Sequence, residues 1–313
     1  MEFGRSAALR GGERKPVDVN KYGFTYLGAI APTTPRERSG DMKLGLSTLL
    51  FRDRPLNGDL LRDLRDAEVE SVELTDYHPG FSFADEALFH GLRGEMRALG
   101  LHLNSLHIHL EKSDHDLDLT DLAQQEKTLS AYGQAVDAME AMGGGILVTH
   151  DIRIPEPQDE GHEEKRDTFV EHLDKLARYA RPKGVRFALE NTSRGYTCDP
   201  ARLVGLMDQL GGSNVGVVID TGHQNLAGDP VAALRTAGPH LMTLHIHDNH
   251  GEQDEHLLPG LGNIAWPSIV QMLRNVGYQG VFMYELNRPE DLDKLRQNFE
   301  RLGVSSRSSA GSL

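Results

Sequence analysis

"VRFALENTSRGYTCDPARLVGLMDQLGGSNVGVVID" (Val185–Asp220) is the stretch on which the fold turns. It opens with an apolar run, 185–190, and closes with another, 215–220. Between them lies "DPARLVGLMDQLGG", a segment of helical pattern that starts at Asp-Pro and stops at glycine, as helix ends tend to do. Two strands that are apolar through most of their length and joined by a helix read as parallel, with their outer face covered.

The same unit recurs on both sides. Further strands are expected at "KLGLST" (43–48), "SVELT" (71–75), "HLNSLHIHL" (102–110), "GILVTH" (145–150), "LMTLHIH" (241–247) and "GVFMYEL" (280–286). Helical segments fill the gaps, among them "GDLLRDLRDA", "ADEALFHGLRGEMRALG", "LAQQEKTLSAYGQAVDAMEAMG", "KRDTFVEHLDKLARYARPKG", "DPVAALRTAG", "WPSIVQMLRNVG" and "PEDLDKLRQNFERLG". Eight such units suit the ~250 residues of a closed (β/α)8 TIM barrel better than an open doubly wound sheet. The expectation is an α/β single domain over 42–303, an irregular N-terminal arm or linker over 1–41 that ends in "APTTPRERSGD", and a flexible tail over 304–313.

Composition narrows the partners. With 33 Lys+Arg against 47 Asp+Glu, the chain carries a formal charge of −14, which repels polyanions at long range. Nucleic acid is therefore not the expected partner; a small molecule is, and homo-oligomerisation is left open. The lone Cys198 excludes an internal disulfide and fits a reducing compartment or a secreted protein that needs no disulfide. No apolar run approaches the ~20 residues of a membrane helix, so no membrane association and a cytoplasmic location are expected.

In a barrel the active site lies at the C-terminal ends of the strands. Those ends carry His107 and His109, His150, Glu190, Asp220 with His223 just beyond, His245 and His247, and Glu285. One strand-end histidine is commonly a hydrogen-bonded structural residue, and an Asp such as Asp220 can simply turn the chain. A rim that collects so many from consecutive strands is not explained that way. Imidazole and carboxylate together suit Mn²⁺, Zn²⁺, Co²⁺ or Fe²⁺ better than Mg²⁺, with Mn²⁺ or Zn²⁺ favoured, and carboxylates crowded on a low-dielectric rim need a cation to neutralise them. The twelve residues "HIHDNHGEQDEH" (245–256), which begin with His245 and include His247, hold four histidines and four acidic residues in all.

Four motifs, "ALENT" (188–192), "VIDTGHQNLAGDP" (218–230), "LHIHDNHGEQDEHLLPGLGNIAW" (244–266) and "GYQGVFMYEL" (277–286), resemble the xylose-isomerase-like TIM-barrel superfamily. That superfamily holds sugar phosphate isomerases/epimerases and endonuclease-IV-type AP endonucleases. The resemblance implies a central metal site of Glu190, Asp220, His245 and Glu285. It implies a substrate-binding role for His223, and further metal sites from His107 or His109 with His150, and from His223, Asp254 and His256. Departures accompany it. The loops after strands three and four, "HIHLEKSDHDLDL" and "HDIRIPEP", lack the basic character that DNA binding needs. The arginine that ketose 3-epimerases keep after the strand-seven histidine is absent from "DNHGEQDEH".

Two mechanisms are open. In a sugar isomerase or epimerase, Glu190 and Glu285 act as general base and acid beside a metal-chelated carbonyl and hydroxyl, while His107, His109, His150, His223 and Trp266 contact substrate. Phe51 and Tyr77 are further stacking candidates, although packing is the commoner role of such rings. In an AP-endonuclease-type phosphodiesterase, several metals activate water. A lyase or hydrolase acting on modified sugars would fit the same fold.

Overall fold

The computed structural model describes residues 42–110, 116–150, 152–210 and 214–304. The expected arm over 1–41, and all but the first residue of the expected tail, lie outside the described residues. The strands are β1 (Lys43–Ser47), β2 (Ser71–Thr75), β3 (His102–His107), β4 (Gly145–Thr149), β5 (Val185–Glu190), β6 (Val215–Asp220), β7 (Leu241–His245) and β8 (Val281–Tyr284). The helices are α1 (Gly58–Asp66), α2 (Glu86–Leu99), α3 (Gln125–Met142), α4 (His162–Ala180), α5 (Pro200–Leu210), α6 (Thr221–Ala227), α7 (Pro230–Ala237), α8 (Trp266–Asn275) and α9 (Leu295–Arg301).

The strands pair in the order β7-β6-β5-β4-β3-β2-β1-β8. Every pair is parallel, and β1 joins β8 as well as β2. The ring closes between β7 and β8, where the Ile246 amide donates to Met283 O (2.8 Å) and the Glu285 amide donates to Ile246 O (3.1 Å). The result is the single-domain (β/α)8 barrel expected. Among the described residues no helix is long and apolar enough to cross a membrane.

Local chemistry explains the helix ends. Asp199 caps α5 by accepting from the Ala201 amide (2.9 Å), and Asp229 caps α7 by accepting from Val231 (2.8 Å). Both helices begin at proline, whose missing N–H costs nothing in a first turn. Gly100 and Gly143 end α2 and α3 in left-handed geometry.

Two departures from expectation sit at the strand ends. The ladders of β3 and β7 stop at 107 and 245, short of 110 and 247, because polar side chains draw the chain off the sheet. The His109 amide, for example, donates to Asp76 Oδ2 (2.8 Å) rather than to a neighbouring strand. The second is α6, which sequence periodicity did not announce. Asp220 does more than turn the chain: its Oδ1 caps α6 by accepting from the His223 amide (2.6 Å).

Most of the core lies between strands and helices and includes Leu46, Phe89, Tyr132, Phe169, Phe187 and Phe282. A smaller plug of Ile146, Val148, Ala188 and Val218 forms a separate cluster. Side chains along a strand alternate faces, so Glu190 and Asp220, two residues beyond Ala188 and Val218, continue the plug toward the C-terminal rim.

Candidate metal centre and active site

Glu190, Asp220, His245 and Glu285 converge from β5, β6 and the β7/β8 seam. All four are buried, and each offers a ligand atom within 4.8 Å of the others. His245 Nδ1 lies 3.1 Å from Glu190 Oε1 and 3.5 Å from Glu285 Oε2. His107 stands across the same centre, with Nε2 3.4 Å from Glu190 Oε2 and Nδ1 3.4 Å from Glu285 Oε1.

This centre contains buried polar atoms without hydrogen bonds: both Glu190 carboxylate oxygens, His245 Nδ1 and His107 Nε2. Desolvated lone pairs aimed at one another are costly unless something positive stands among them. A divalent cation answers that need, and the mixed nitrogen and oxygen donors fit Mn²⁺, Zn²⁺, Fe²⁺ or Co²⁺.

Electrostatics agree with that fit. Burial by itself would lower the His245 pKa, but the carboxylates of Glu190, Glu285 and Glu73 outweigh it and hold the imidazole well above its ordinary value. His107 is raised in the same way, with burial overcome chiefly by Glu190. Burial would conversely raise Glu190, yet His245 and His107 keep it well below the usual carboxylate range. Glu285 is also low, its burial offset chiefly by His245. The carboxylates thus demand positive charge, which protons on the imidazoles or a metal ion can supply.

A second cluster adjoins the first. His223 Nδ1 faces Asn191 O (3.0 Å) and Glu190 Oε1 (3.3 Å), and its Nε2 lies 3.3 Å from Asp254 Oδ2. His256 Nε2 meets the same Asp254 oxygen at 3.2 Å, while its Nδ1 sits 3.0 Å from Glu285 O. His256 holds φ +47°, a left-handed conformation rare for a side-chain-bearing residue, so the surroundings impose a strained backbone there. His247, expected on the rim as a neighbour or hydrogen-bond partner, reaches Asp220 Oδ1 through Nε2 (3.0 Å) and stacks on His256 with ring centroids 3.9 Å apart. Despite burial, His223 is pushed up to about 12 by Asp220, Asp254 and Glu190. His256 rises to about 9, burial being overcome chiefly by Asp254.

His107, His109 and His150 form a third group. The His107 and His109 rings are 4.2 Å apart, and His150 stands 5.1 Å from one and 5.3 Å from the other. Asp76 holds His109 at both its amide (2.8 Å) and Nδ1 (2.8 Å). Tyr77 stacks on His109 at 4.0 Å and is 41% exposed, so its ring does reach the rim.

Trp266 requires correction. The sequence suggested a substrate contact, but the ring is 3% exposed, packs against Phe282 and donates from Nε1 to Asp248 Oδ2 (2.7 Å). It heads α8 beneath the loop rather than lining the centre, because its N–H finds a buried acceptor there. Phe51 is likewise buried, with the Arg54 guanidinium over its ring. Sequence reasoning also missed Glu73, a fully buried residue of β2 whose Oε2 lies 3.0 Å from His245 Nε2. The available signal was a charged side chain inside the short apolar run "SVELT". Asp76, one residue beyond β2, was missed for want of any motif.

A cleft of about 580 Å³ leads outward from His150, His223 and Asp254 to Ile154, Thr192 and Arg194.

Eight parallel strands whose C-terminal ends hold a buried histidine–carboxylate centre define the class, a (β/α)8 barrel built around a candidate metal site. The model of the xylose isomerase-like TIM barrel family matches residues 61–303, and the chain belongs to that family. Among curated proteins it is 29% identical over 190 residues to the uncharacterized protein MJ1311 of Methanocaldococcus jannaschii, covering 58% of this chain and 65% of that one. It is 33% identical over 150 residues to a D-psicose 3-epimerase of Enterocloster bolteae, covering 46% and 47%. It is 28% identical over 142 residues to an inosose isomerase of Bacillus subtilis, covering 41% and 49%. The chain thus spans about half to two thirds of the length of these relatives. Among solved structures, a D-tagatose 3-epimerase-like protein superposes with TM-score 0.73 at 21% identity, over 83% of this chain and 97% of the other. An IOLI protein with a bound zinc atom superposes with TM-score 0.67 at 19% identity, over 84% and 97%. At these identities the likeness shows the fold.

Proposed function

We propose that the protein is a divalent-metal-dependent isomerase or epimerase of a small sugar or sugar phosphate, with Mn²⁺ or Zn²⁺ the favoured ion. One observation carries the reading: Glu190 and Glu285 share a buried centre with Asp220 and His245, and each glutamate keeps a second oxygen beyond the one it offers a cation. The sugar epimerases and the inosose isomerase among its relatives support the substrate class.

Glu190, Asp220, His245 and Glu285 would hold the ion. When bound, it supplies Lewis-acid polarisation of a carbonyl and the adjacent hydroxyl, which acidifies the neighbouring C–H. One glutamate then removes that proton and the other returns one to the opposite face or the adjacent carbon. His223, held at Nδ1 by Asn191 O, presents its outer edge to the cleft and orients a hydroxyl. His107, wedged between the two glutamates, keeps them apart and oriented. His109 and His150 line the approach.

A multi-metal phosphodiesterase of AP endonuclease type is the second reading, favoured by Asp254, whose one oxygen faces both His223 and His256, and by the His107, His109 and His150 group. The net charge of −14 opposes a DNA partner. A lyase or hydrolase of modified sugars would use the same centre.

Metal-loaded protein should be incubated with ketoses, aldoses and inososes, and separately with abasic-site DNA, while bound metal is counted. Sugar interconversion with one tightly bound ion per chain is expected. Catalytic incision of the DNA, abolished by Asp254→Ala, with three ions per chain would replace the sugar reading with the nuclease one.

A further inference from the structure

One fully buried ionisable residue beside the centre is outside the ligand set. Glu73 lies in β2, every residue of which is buried, and its Oε2 accepts from Ser105 Oγ (2.7 Å) while lying 3.0 Å from His245 Nε2. Ser105 Oγ accepts in turn from Asn104 Nδ2 (3.0 Å), which also reaches Thr243 Oγ1 (3.0 Å). Strands β2, β3 and β7 are thereby tied together at His245 Nε2, the ring nitrogen other than the one that faces Glu190 and Glu285.

The direction of these bonds has a consequence. Oε2 already accepts the Ser105 hydroxyl, so it faces the ring as an acceptor, which assigns the proton between Glu73 and His245 to Nε2. A neutral imidazole with Nε2 protonated has its lone pair on Nδ1. That is the atom aimed at Glu190 Oε1 (3.1 Å) and Glu285 Oε2 (3.5 Å), and it makes no hydrogen bond.

We infer that Glu73 is the positioning residue of the metal centre: it holds the His245 ring in the Nε2–H tautomer, with Nδ1 presented to the ion. A carboxylate behind a ligating histidine fixes ring orientation and makes the ligand more basic, and its loss typically weakens metal binding 10–100-fold. The role rests on the metal centre proposed above and goes beyond it by assigning a residue outside the four ligands. Direct ligation by Glu73 is the rival role, since Glu73, His107, His245 and Glu285 also come within 4.8 Å of one another. The two bonds to Oε2 oppose ligation through that oxygen; Oε1, buried without a hydrogen bond and 4.0 Å from His107 Nδ1, is the atom through which the rival would act, and the count of bound ions separates the two roles.

Zn²⁺ affinity, measured by competition with a chromophoric chelator, and the side-chain imidazole ¹H–¹⁵N signals of the Zn²⁺-loaded protein test this in wild type, Glu73→Ala, Glu73→Gln and Ser105→Ala. Glu73→Ala should bind Zn²⁺ about 10–100-fold more weakly at unchanged stoichiometry and lose the protected His245 Nε2–H signal. Glu73→Gln, whose amide oxygen still accepts, should retain that signal and most of the affinity. Should Glu73→Ala fail to fold, Ser105→Ala carries the test, since freeing the carboxylate should shift the His245 signal. Unchanged affinity in folded Glu73→Ala, an unmoved signal in Ser105→Ala, or loss of one bound ion at saturation in Glu73→Gln would each overturn the assignment. If wild type binds no ion, the metal centre itself fails; if wild type and folded Glu73→Ala bind alike, only the role of Glu73 fails.

Discussion

Glu285 follows directly on the seam that closes the barrel, so its carboxyl is set by the same hydrogen bonds that join β7 to β8. Exchanging one of its oxygens for an amide nitrogen leaves the shape intact and removes the proposed proton carrier. Glu285→Gln should lower kcat by about 10²–10⁴-fold with an unchanged circular dichroism spectrum; full activity would remove Glu285 from the proton transfer. His256 supplies a stability test. Its pKa of about 9 in the fold exceeds the ordinary 6.5, so its stabilisation is complete below 6.5 and is lost as pH rises through 9. Asp254 is held low instead, burial being outweighed by His223 and His256, so its share is present above the ordinary 3.8 and fades on acidification. In chelator-treated protein, wild type should therefore exceed His256→Asn in Tm most between about pH 4 and 6.5, and the gap should close above pH 9. A constant gap would mean that packing against His247, rather than charge, holds the ring. At this scale the strand-end histidines and carboxylates that meet at the centre were legible because several such residues ending consecutive apolar runs share one rim. Glu73 was not, since a one-dimensional strand pattern does not say which face of "SVELT" turns into the barrel.

Among the elements, the loop after β7 depends on one carboxylate. Asp248 is fully buried and accepts from the amides of Asn249 (3.0 Å), Gly260 (2.7 Å) and Ile264 (3.2 Å) and from Trp266 Nε1 (2.7 Å). This loop carries Asp254 and His256 to the rim. Asp248→Ala would strand several buried donors at about 1–3 kcal/mol each, so chemical denaturation should show a loss of at least about 3 kcal/mol. A loss under 1 kcal/mol would show that water replaces the carboxylate without cost. Gly222, in "DTGH", meets a related constraint: a Cβ there would lie 1.8 Å from His247 Cε1, so α6 seats against the imidazole only without a side chain. Gly222→Ala should displace His247 from Asp220, and an unaltered His247 imidazole NMR signal would contradict that contact. The alternation of apolar runs with capped helical segments made all eight strands readable. Their C-terminal limits were not, because side chains such as Asp76 divert the backbone after the periodicity still continues. Helix α6 escaped notice for a similar reason: its seven residues are too few to display a helical period.

The molecule as a whole joins an acidic chain of net charge −14 to a barrel with a buried cluster of histidines and carboxylates that could hold a metal ion. Binding to the folded state alone should raise stability by about 2.7 kcal/mol when free metal is 100 times its Kd. Thermal melts with and without Mn²⁺ or Zn²⁺ should show that rise, and Glu190→Gln should abolish it; identical melts for the two proteins would place the ion elsewhere. The fold and the convergence of histidines and carboxylates on one rim were legible in the sequence, since both rest on patterns local to each strand. Which histidines share which cluster was not, because that depends on how the rings cross the barrel mouth. The central claim is proton transfer at a carbon beside a sugar carbonyl. Its most direct test is solvent exchange: metal-loaded protein is held with a panel of ketoses and inososes in D₂O, and deuterium incorporation is followed by NMR. The account predicts deuterium at a carbon adjacent to the carbonyl of at least one sugar, dependent on metal and lost in Glu285→Gln. Absence of exchange across the panel, with catalytic cleavage of abasic-site DNA by the same preparation, would contradict it.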